Sequence, residues 1–242
     1  MKVLYLVASL IGVAYSKNLP SFVEVCHRPD AKIKDCLVRN IEKLRPMFLK
    51  GIPELQIPSL NPLIIPKASL EIGDRFSADF NEIQIFFANE FVIEKLDFNV
   101  ENFKLDLSIL FPRLRILSNY NIKGKLLVLE LDGSGSADGN YTNVRAHFKG
   151  EGVHYDKGGK DHIKLDKTSI DMEIGKPHLF FDRIFGDNEE LNANTNKVIN
   201  ENIETLISEL KPVISKIVQE FISGITNNLF EKYTFDELFL KN

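Results

Sequence analysis

The sequence predicts an α+β fold in which a long C-terminal helix is wrapped by a highly curved antiparallel β-sheet, with a short, disulfide-tied helix at the N-terminus. Three features predict it. Toward the C-terminus apolar residues recur at threes and fours for more than thirty residues, the spacing of one helical face. Over the middle of the chain the period drops to two, the spacing of half-buried strands. Those strands follow one another with no helical pattern between them, which implies antiparallel pairing.

The 242 residues are 44% apolar and 26% charged, the make-up of an ordinary globular chain, and the length suits one large domain. Thirty basic against thirty-four acidic side chains leave a net charge of −4 without long runs of one sign. That balance argues against a general nucleic-acid binder and against charge-driven anchoring to an anionic membrane. Eighteen Phe with no Trp supply apolar area that has no polar tip to satisfy, which suits a dry interior. Two Cys are too few for a four-thiolate metal site or a disulfide-dense scaffold.

Residues 1–16 have the form of a secretory signal peptide: Lys2, the apolar run Val3 to Val13, and the small residues Ala14 and Ser16 around Tyr15. The run is far shorter than the ~20 apolar residues of a bilayer-spanning helix. The chain ends in Phe-Leu-Lys-Asn, neither a retention signal nor a lipid-anchor tail. The expectation is a mature chain of residues 17–242, a single domain that is secreted and has no stable membrane anchor. In an oxidising lumen Cys26 and Cys36 are expected to close one small loop, worth about 2.7 kcal/mol on the chain-entropy account. A catalytic thiol is the alternative, and no His-bearing motif accompanies either Cys. Asn140-Tyr141-Thr142 is a glycosylation sequon. The Gly/Ser-rich stretch Gly133 to Ser136 before it suggests a turn tip, where a glycan on Asn140 is tolerated.

The elements follow in order. Ile33, Leu37, Ile41, Leu44 and Phe48 form one helical face from about Asp30 to Phe48, capped by Asp30 and ended by Gly51 and Pro53. Three prolines between Pro53 and Pro62 then favour an extended path. From about Ile64 to Phe181, apolar residues alternate with polar ones through Leu96–Val100, Phe103–Ile109, Val144–Phe148 and Ile170–Ile174. Turns are expected at Asn119–Asn121, Asp132–Asn140 and Asp156–Gly159. Between them Ile122 to Leu131 reads as one long strand of ~33 Å. Asp187 and Glu190 suggest a capping box for a helix from Leu191 to Phe230, ~60 Å long, that Pro212 should kink. A coiled-coil dimer is the rival for so long a stripe; the drifting spacing favours a monomer with a wrapped helix.

Catalytic and metal spacings are not found. The Gly133–Gly139 stretch is neither a nucleophile elbow nor a calcium loop, and no phosphate-cradling loop or paired-histidine zinc motif occurs. His147, His154 and His162 read as solvent-facing strand positions, and the lysines from Lys157 to Lys167 as a solvated face. The expectation is no enzyme, no metal and no cofactor. What the chain has in excess is apolar supply. A widely striped helix inside strands rich in Phe and Leu is how a lipid-sized tunnel is built, and a solid core is the alternative. The inward positions of the repeats, and so the candidate lining, are Phe98, Leu105, Leu107, Val128, Phe148, Met172, Ile174, Ile203, Leu210, Ile214, Ile217 and Phe221.

Specific residues resemble a family. The Cys26…Cys36 pair, Leu44-Arg45-Pro46, Gly51-Ile52-Pro53-Glu54-Leu55 and Ile57-Pro58-Ser59-Leu60-x-Pro62 look like the opening of insect takeout and haemolymph juvenile hormone-binding proteins. Gly133-x-Gly135 and Asn143-Val144 are similar to that family's central hairpin. Ile184-Phe185-Gly186-Asp187, Leu191, Ile199-Asn200-Glu201-Asn202, Phe221, Leu229-Phe230 and Leu238-Phe239 resemble its C-terminal signature. The resemblance spans essentially the whole mature chain. It implies a helix-in-curved-sheet fold of the kind shared with lipid-transfer and bactericidal permeability proteins. It also implies a secreted carrier, in haemolymph or another extracellular fluid, for a terpenoid or fatty-acid-like ligand, in a family linked to juvenile hormone, feeding, circadian output and chemosensation. With two Cys, the second disulfide typical of the hormone-binding branch does not exist here. Thr234 also stands where the family usually has proline before the final Leu-Phe, so the resemblance is to the takeout-like branch. The other reading is a filled-core secreted protein that works by contact with a cell-surface acceptor or a membrane surface.

Overall fold

The computed structural model describes residues 19–28, 32–126 and 129–241. The expected signal peptide and the expected cap Asp30 lie outside the described residues.

A short strand β1 (Cys26–Arg28) leads into helix α1 (Ile33–Leu44), and the Cys26–Cys36 disulfide ties the two. α1 stops four residues short of the expected Phe48. Pro46 cannot continue an α-helix without losing an N–H, so the chain tightens into a 3-10 turn over Arg45–Leu49. The proline-rich stretch holds a second such turn, Pro53–Leu55, and an Ile52–Ile57 bridge around the fully buried Ile52.

Seven strands build the main sheet: β2 (Leu63–Ile72), β3 (Phe76–Phe86), β4 (Val92–Asn99), β5 (Lys104–Leu126), β6 (Leu129–Asp156), β7 (Asp161–Glu173) and β8 (His178–Phe181). The order is β2-β3-β5-β6-β7, with β4 beside β5 and β8 beside β6, and every pairing is antiparallel. At ~3.3 Å per residue the 23 residues of β5 follow a path of ~75 Å, well beyond the length of any described helix. Strands that long must twist and curl.

Two expected turns are strand. Asn119–Asn121 lie within β5 and Asp132–Asn140 within β6, while the reversal falls between Leu126 and Leu129, inside the segment read as one strand. The glycines that suggested a turn serve close approach instead. A Cβ on Gly133 would collide with the carbonyl oxygen of Ile184, and one on Gly135 with that of Asp182. The expected turn after Asp156 is found, between β6 and β7.

The interior face changes parity along the β5–β6 pair. Leu105, Leu107, Ile109 and Phe111 share a face with Val144, Ala146 and Phe148. Beyond Pro112 the inward residues are Tyr120 and Ile122 on β5, facing Gly135 and Gly133 on β6. Pairing stays one-to-one across the switch, from Phe111↔Val144 to Arg113↔Thr142, and Asn143 between them is left-handed with φ 53°. Irregularities in β3 and β4 add further bends.

The C-terminal part comprises α2 (Glu189–Glu201), α3 (Ile203–Lys232), α4 (Phe235–Leu238) and β9 (Phe239–Lys241), which pairs in parallel with β1. The single helix expected over Leu191–Phe230 is therefore two, broken at Asn202, where φ −108° and ψ 18° leave the helical region. α3 continues through Pro212. Asn188, one residue after the expected cap, accepts the Leu191 N–H at 3.0 Å; the capping box occurs instead at Thr234 and Glu237. Thr234 thus supplies the cap of α4.

Amides on the helices complete the sheet edge formed by β7 and β8. Asn192, Asn196 and Asn200, four apart on α2, form one stripe against β8 and the segment after it. Asn196 accepts from Phe181 N and donates to Phe181 O, both at 2.8 Å; Asn200 does the same for Leu179 at 2.9 and 2.7 Å. Asn192 accepts from Phe185 N and donates to Gly186 O. On α3, Asn227 accepts the Leu165 N–H and Gln219 donates to Thr168 O, so β7 is covered in the same way. Asn196→Ala should cost about 2–3 kcal/mol in urea denaturation, because it strands both backbone groups of Phe181. Asn194→Ala, an exposed neighbour, should stay within ~0.5 kcal/mol.

Candidate functional site

The core is densely packed toward two ends. At the hairpin end Leu70, Phe76, Ala78, Tyr120, Ile122, Leu126, Leu131, Leu179 and Ile184 close on Ile199, Ile203, Leu206 and Leu210. At the other end Val100, Phe103, Phe148, Ile163 and Leu165 pack on Phe230, Phe235, Phe239 and the disulfide. There Phe103 meets the rings of Phe98 and Phe230 edge-on, at 5.1 and 5.2 Å. A third cluster, of Leu44, Phe48, Ile52, Leu55 and Tyr233, lies beneath the proline-rich segment.

Between the ends, α3 carries no buried residue from Lys211 to Leu229; Val213, Ile214, Ile217, Val218, Phe221, Ile222 and Ile225 are all half-buried. The β5 residues Leu105, Leu107, Ile109 and Phe111 are half-buried too. The backbone of α3 comes close to β7 and, over a shorter stretch, to β2. These are the two ends of the main strand path, with β3, β5 and β6 between them. The helix therefore runs from one sheet edge toward the other, across the apolar face of the central strands. Lys211 reinforces the β7 side through Asp171 at 2.7 Å, whose carboxyl it holds below the usual range.

The expected lining residues fall in distinct places. Strand register puts Phe98, Leu105, Leu107, Phe148 and Met172 on one face of the sheet. Of these, Phe148 is in the packed end and Phe98 and Leu105 border it. Ile203 and Leu210 are buried in the hairpin-end core, with Ile214 and Ile217 against it. Leu107, Met172, Ile174 and Phe221 belong to neither end. Val128 lies outside the described residues.

The polar inventory offers little chemistry. Among the described residues no group of His, Cys, Asp and Glu could hold a metal ion. His147 pairs with Asp106 at 2.7 Å and His154 with Asp161 at 2.9 Å. His162, expected to face solvent, is buried, and its Nδ1 donates to the Phe230 carbonyl at 3.0 Å. The strand is flanked there by the end of α3, which period-two reading of β7 alone does not reveal. A surface cleft of about 650 Å³ lies between α1 and β4, but none of the expected lining residues contributes to it. Its charged side chains Lys34, Glu42, Arg45, Glu90, Glu94 and Lys95 are all ion-paired.

Two tyrosines were not anticipated. The Tyr120 hydroxyl donates to Asp182 O at 2.5 Å, fastening the chain after β8. Tyr141 lies over Gly139, close to the hairpin-end core, and none of the described residues hydrogen-bonds its hydroxyl. Its signal in the sequence was only that it follows the sequon Asn. Burial pushes both phenols up to about 12.

A helix laid across a curled antiparallel sheet, over an apolar inner face, defines the takeout class of fold. The crystal structure of Epiphyas postvittana Takeout 1 superposes with a TM-score of 0.73 at 17% identity, covering 90% of this chain and all of that one. The haemolymph juvenile hormone binding protein family model matches residues 3–240. The chain belongs to that family. Its relatives include the circadian clock-controlled protein daywake of Drosophila melanogaster, 25% identical over 238 residues, 93% of this chain and 90% of that one. Daywake of Drosophila yakuba is likewise 25% identical over 236 residues, 93% of this chain and 89% of its own.

The buried phenols predict an alkaline limb of stability. In the unfolded chain they ionise near pH 10; folded, they keep their protons to about 12. Their contribution is complete below pH 10 and is lost as pH rises from 10 toward 12, because only the unfolded state releases those protons. Urea denaturation at pH 9 and pH 11 should show the drop, and Tyr141→Phe should shrink it.

Proposed function

We propose that this protein is a secreted carrier that holds a small hydrophobic ligand, a terpenoid such as juvenile hormone or a fatty-acid-like lipid, in an apolar tunnel between α3 and the central strands. One observation supports this above the others. The helix reaches the outer strands, while the apolar residues of α3 from Val213 to Ile225 and Leu107, Ile109 and Phe111 on β5 keep part of their surface uncovered, with Leu96, Val144, Ala146 and Met172 beside them buried. In a solid core those central positions are where burial is most complete. The lining is Leu107, Ile109, Phe111, Met172, Ile174, Ile217 and Phe221, and Tyr141 offers a hydroxyl for the ligand's polar head.

Burial supplies the affinity. A fifteen-carbon terpenoid covering ~400 Å² of apolar surface gains ~10 kcal/mol gross. Lost translational and rotational freedom takes back at least ~4 kcal/mol, which leaves micromolar or better binding. The signal-like residues 1–16 support release from the cell. No described helix is long and apolar enough to cross a membrane.

The test is mass spectrometry of an organic extract of the purified secreted protein, with displacement of a fluorescent fatty acid. A stoichiometric lipid is expected. Phe221→Glu should weaken uptake at least tenfold with little change in Tm, since the residue is half-buried. Leu210→Glu, in the packed end, should instead destabilise the fold. An empty extract with no uptake would mean a filled interior, and a role by contact with a receptor or membrane surface would replace the carrier reading.

A further inference from the structure

Asn140 lies in the middle of β6, not on the turn its glycines suggested, and its side chain is exposed while Gly139 is buried. A mid-strand sequon is no obstacle to modification, because transfer of the oligosaccharide precedes folding of the segment. What the folded state must provide is an outward direction and room, and here it provides both. On the same outer face, β8 sets His178 directly opposite Asn140 and Phe180 opposite Asp138. Phe180 is thus the diagonal neighbour of Asn140, with backbones ~7–8 Å apart.

Phe180 is unusual. At 51% exposure it is the most exposed large apolar side chain among the described residues, beside a groove of about 380 Å³ shared with His178, Asn196, Lys197 and Glu201. Its opposite number cannot shield it, because Asp138 is drawn to Arg115 in a bidentate pair at 3.1 and 2.6 Å. An aromatic face left open beside a sugar attachment point matches the chemistry of a pyranose. The sugar's axial C–H face stacks on the ring, and its N-acetyl and hydroxyl groups need polar partners, which the His178 ring and Lys197 supply.

We propose that Asn140 carries an N-linked glycan whose first N-acetylglucosamine lies on the Phe180 ring and covers the groove between β8 and α2. This goes beyond ligand carriage and rests only on the secretion part of the reading above.

The full chain, secreted from insect cells held at the high-mannose stage, tests it. The intact mass should exceed that of the polypeptide by one N-glycan, and Asn140→Gln or Thr142→Ala should remove the excess. Trimming to a single sugar should preserve Tm, whereas the sugar-free Asn140→Gln protein should melt about 2–4 °C lower. Phe180→Ala should erase that difference. Should Asn140→Gln fail to accumulate, Thr142→Ala serves as the sugar-free reference. Unmodified Asn140 on protein recovered from the medium overturns the proposal and leaves secretion standing. A glycan whose effect on Tm survives Phe180→Ala overturns the stacking. Retention in the cytosol with residues 1–16 uncleaved overturns secretion, and the glycan with it.

Discussion

A sheet that curls without closing on itself leaves rows of unpaired backbone N–H and C=O groups at its edges, and the rest of this structure depends on how the row along β7 and β8, both on the same side of β6, is satisfied. There helices do it, with side-chain amides that donate and accept as a neighbouring strand would. Asn196 and Asn200 each hold both backbone groups of one β8 residue, and Asn227 and Gln219 serve β7. The same device recurs at the N-terminus, where Asn40 on α1 accepts from Glu24 N and donates to Glu24 O. Asparagine is a poor helix former, by roughly half a kcal/mol against Ala. Leaving a buried strand edge unpaired costs more than that at every position.

This arrangement decides where the long helix can sit. The polar stripe of α3 at Gln219, Ser223 and Asn227 is hydrogen-bonded to Thr168 and Leu165 on β7, so the apolar stripe is turned across the sheet rather than pressed into it. The ends are then sealed by different means. At one, Ile184 and the chain after β8 lie against Gly133 and Gly135, and the Tyr120 hydroxyl holds Asp182. At the other, phenylalanine rings meet Phe103 edge-on, the disulfide anchors α1, and β9 joins β1. Arg28 completes that end, with its guanidinium 3.9 Å over the Phe235 ring and ion-paired to Asp236.

Much of the fold was legible in the sequence because apolar spacing reports which face is buried. The long C-terminal stripe, the alternating strands and the cysteine pair all have counterparts in the structure. What periodicity missed are features set by a second element. Gly133 and Gly135 carry turn chemistry locally, yet they are needed because another segment's backbone passes against them. The break at Asn202 is invisible to a pattern that stays in phase across it. The parity switch at Pro112 and Asn143 changes which residues face inward without changing the pairing, so one inward set cannot be extended along the whole strand. The amide ladder was readable in principle: three asparagines four apart are costly on a helix unless something uses them. Choosing among apolar residues is the harder case. Leu210 and Phe221 occupy equivalent stripes, and only their neighbours separate a packed position from a half-covered one.

The most direct measurement is anomalous diffraction from a crystal of the protein loaded with a brominated fatty acid. A bromine peak is expected between α3 and the central strands, near Leu107, Met172 and Phe221, with the amide contacts to β7 and β8 intact. A peak confined to the cleft between α1 and β4, or continuous protein density filling the space above β5, would contradict a hollow interior.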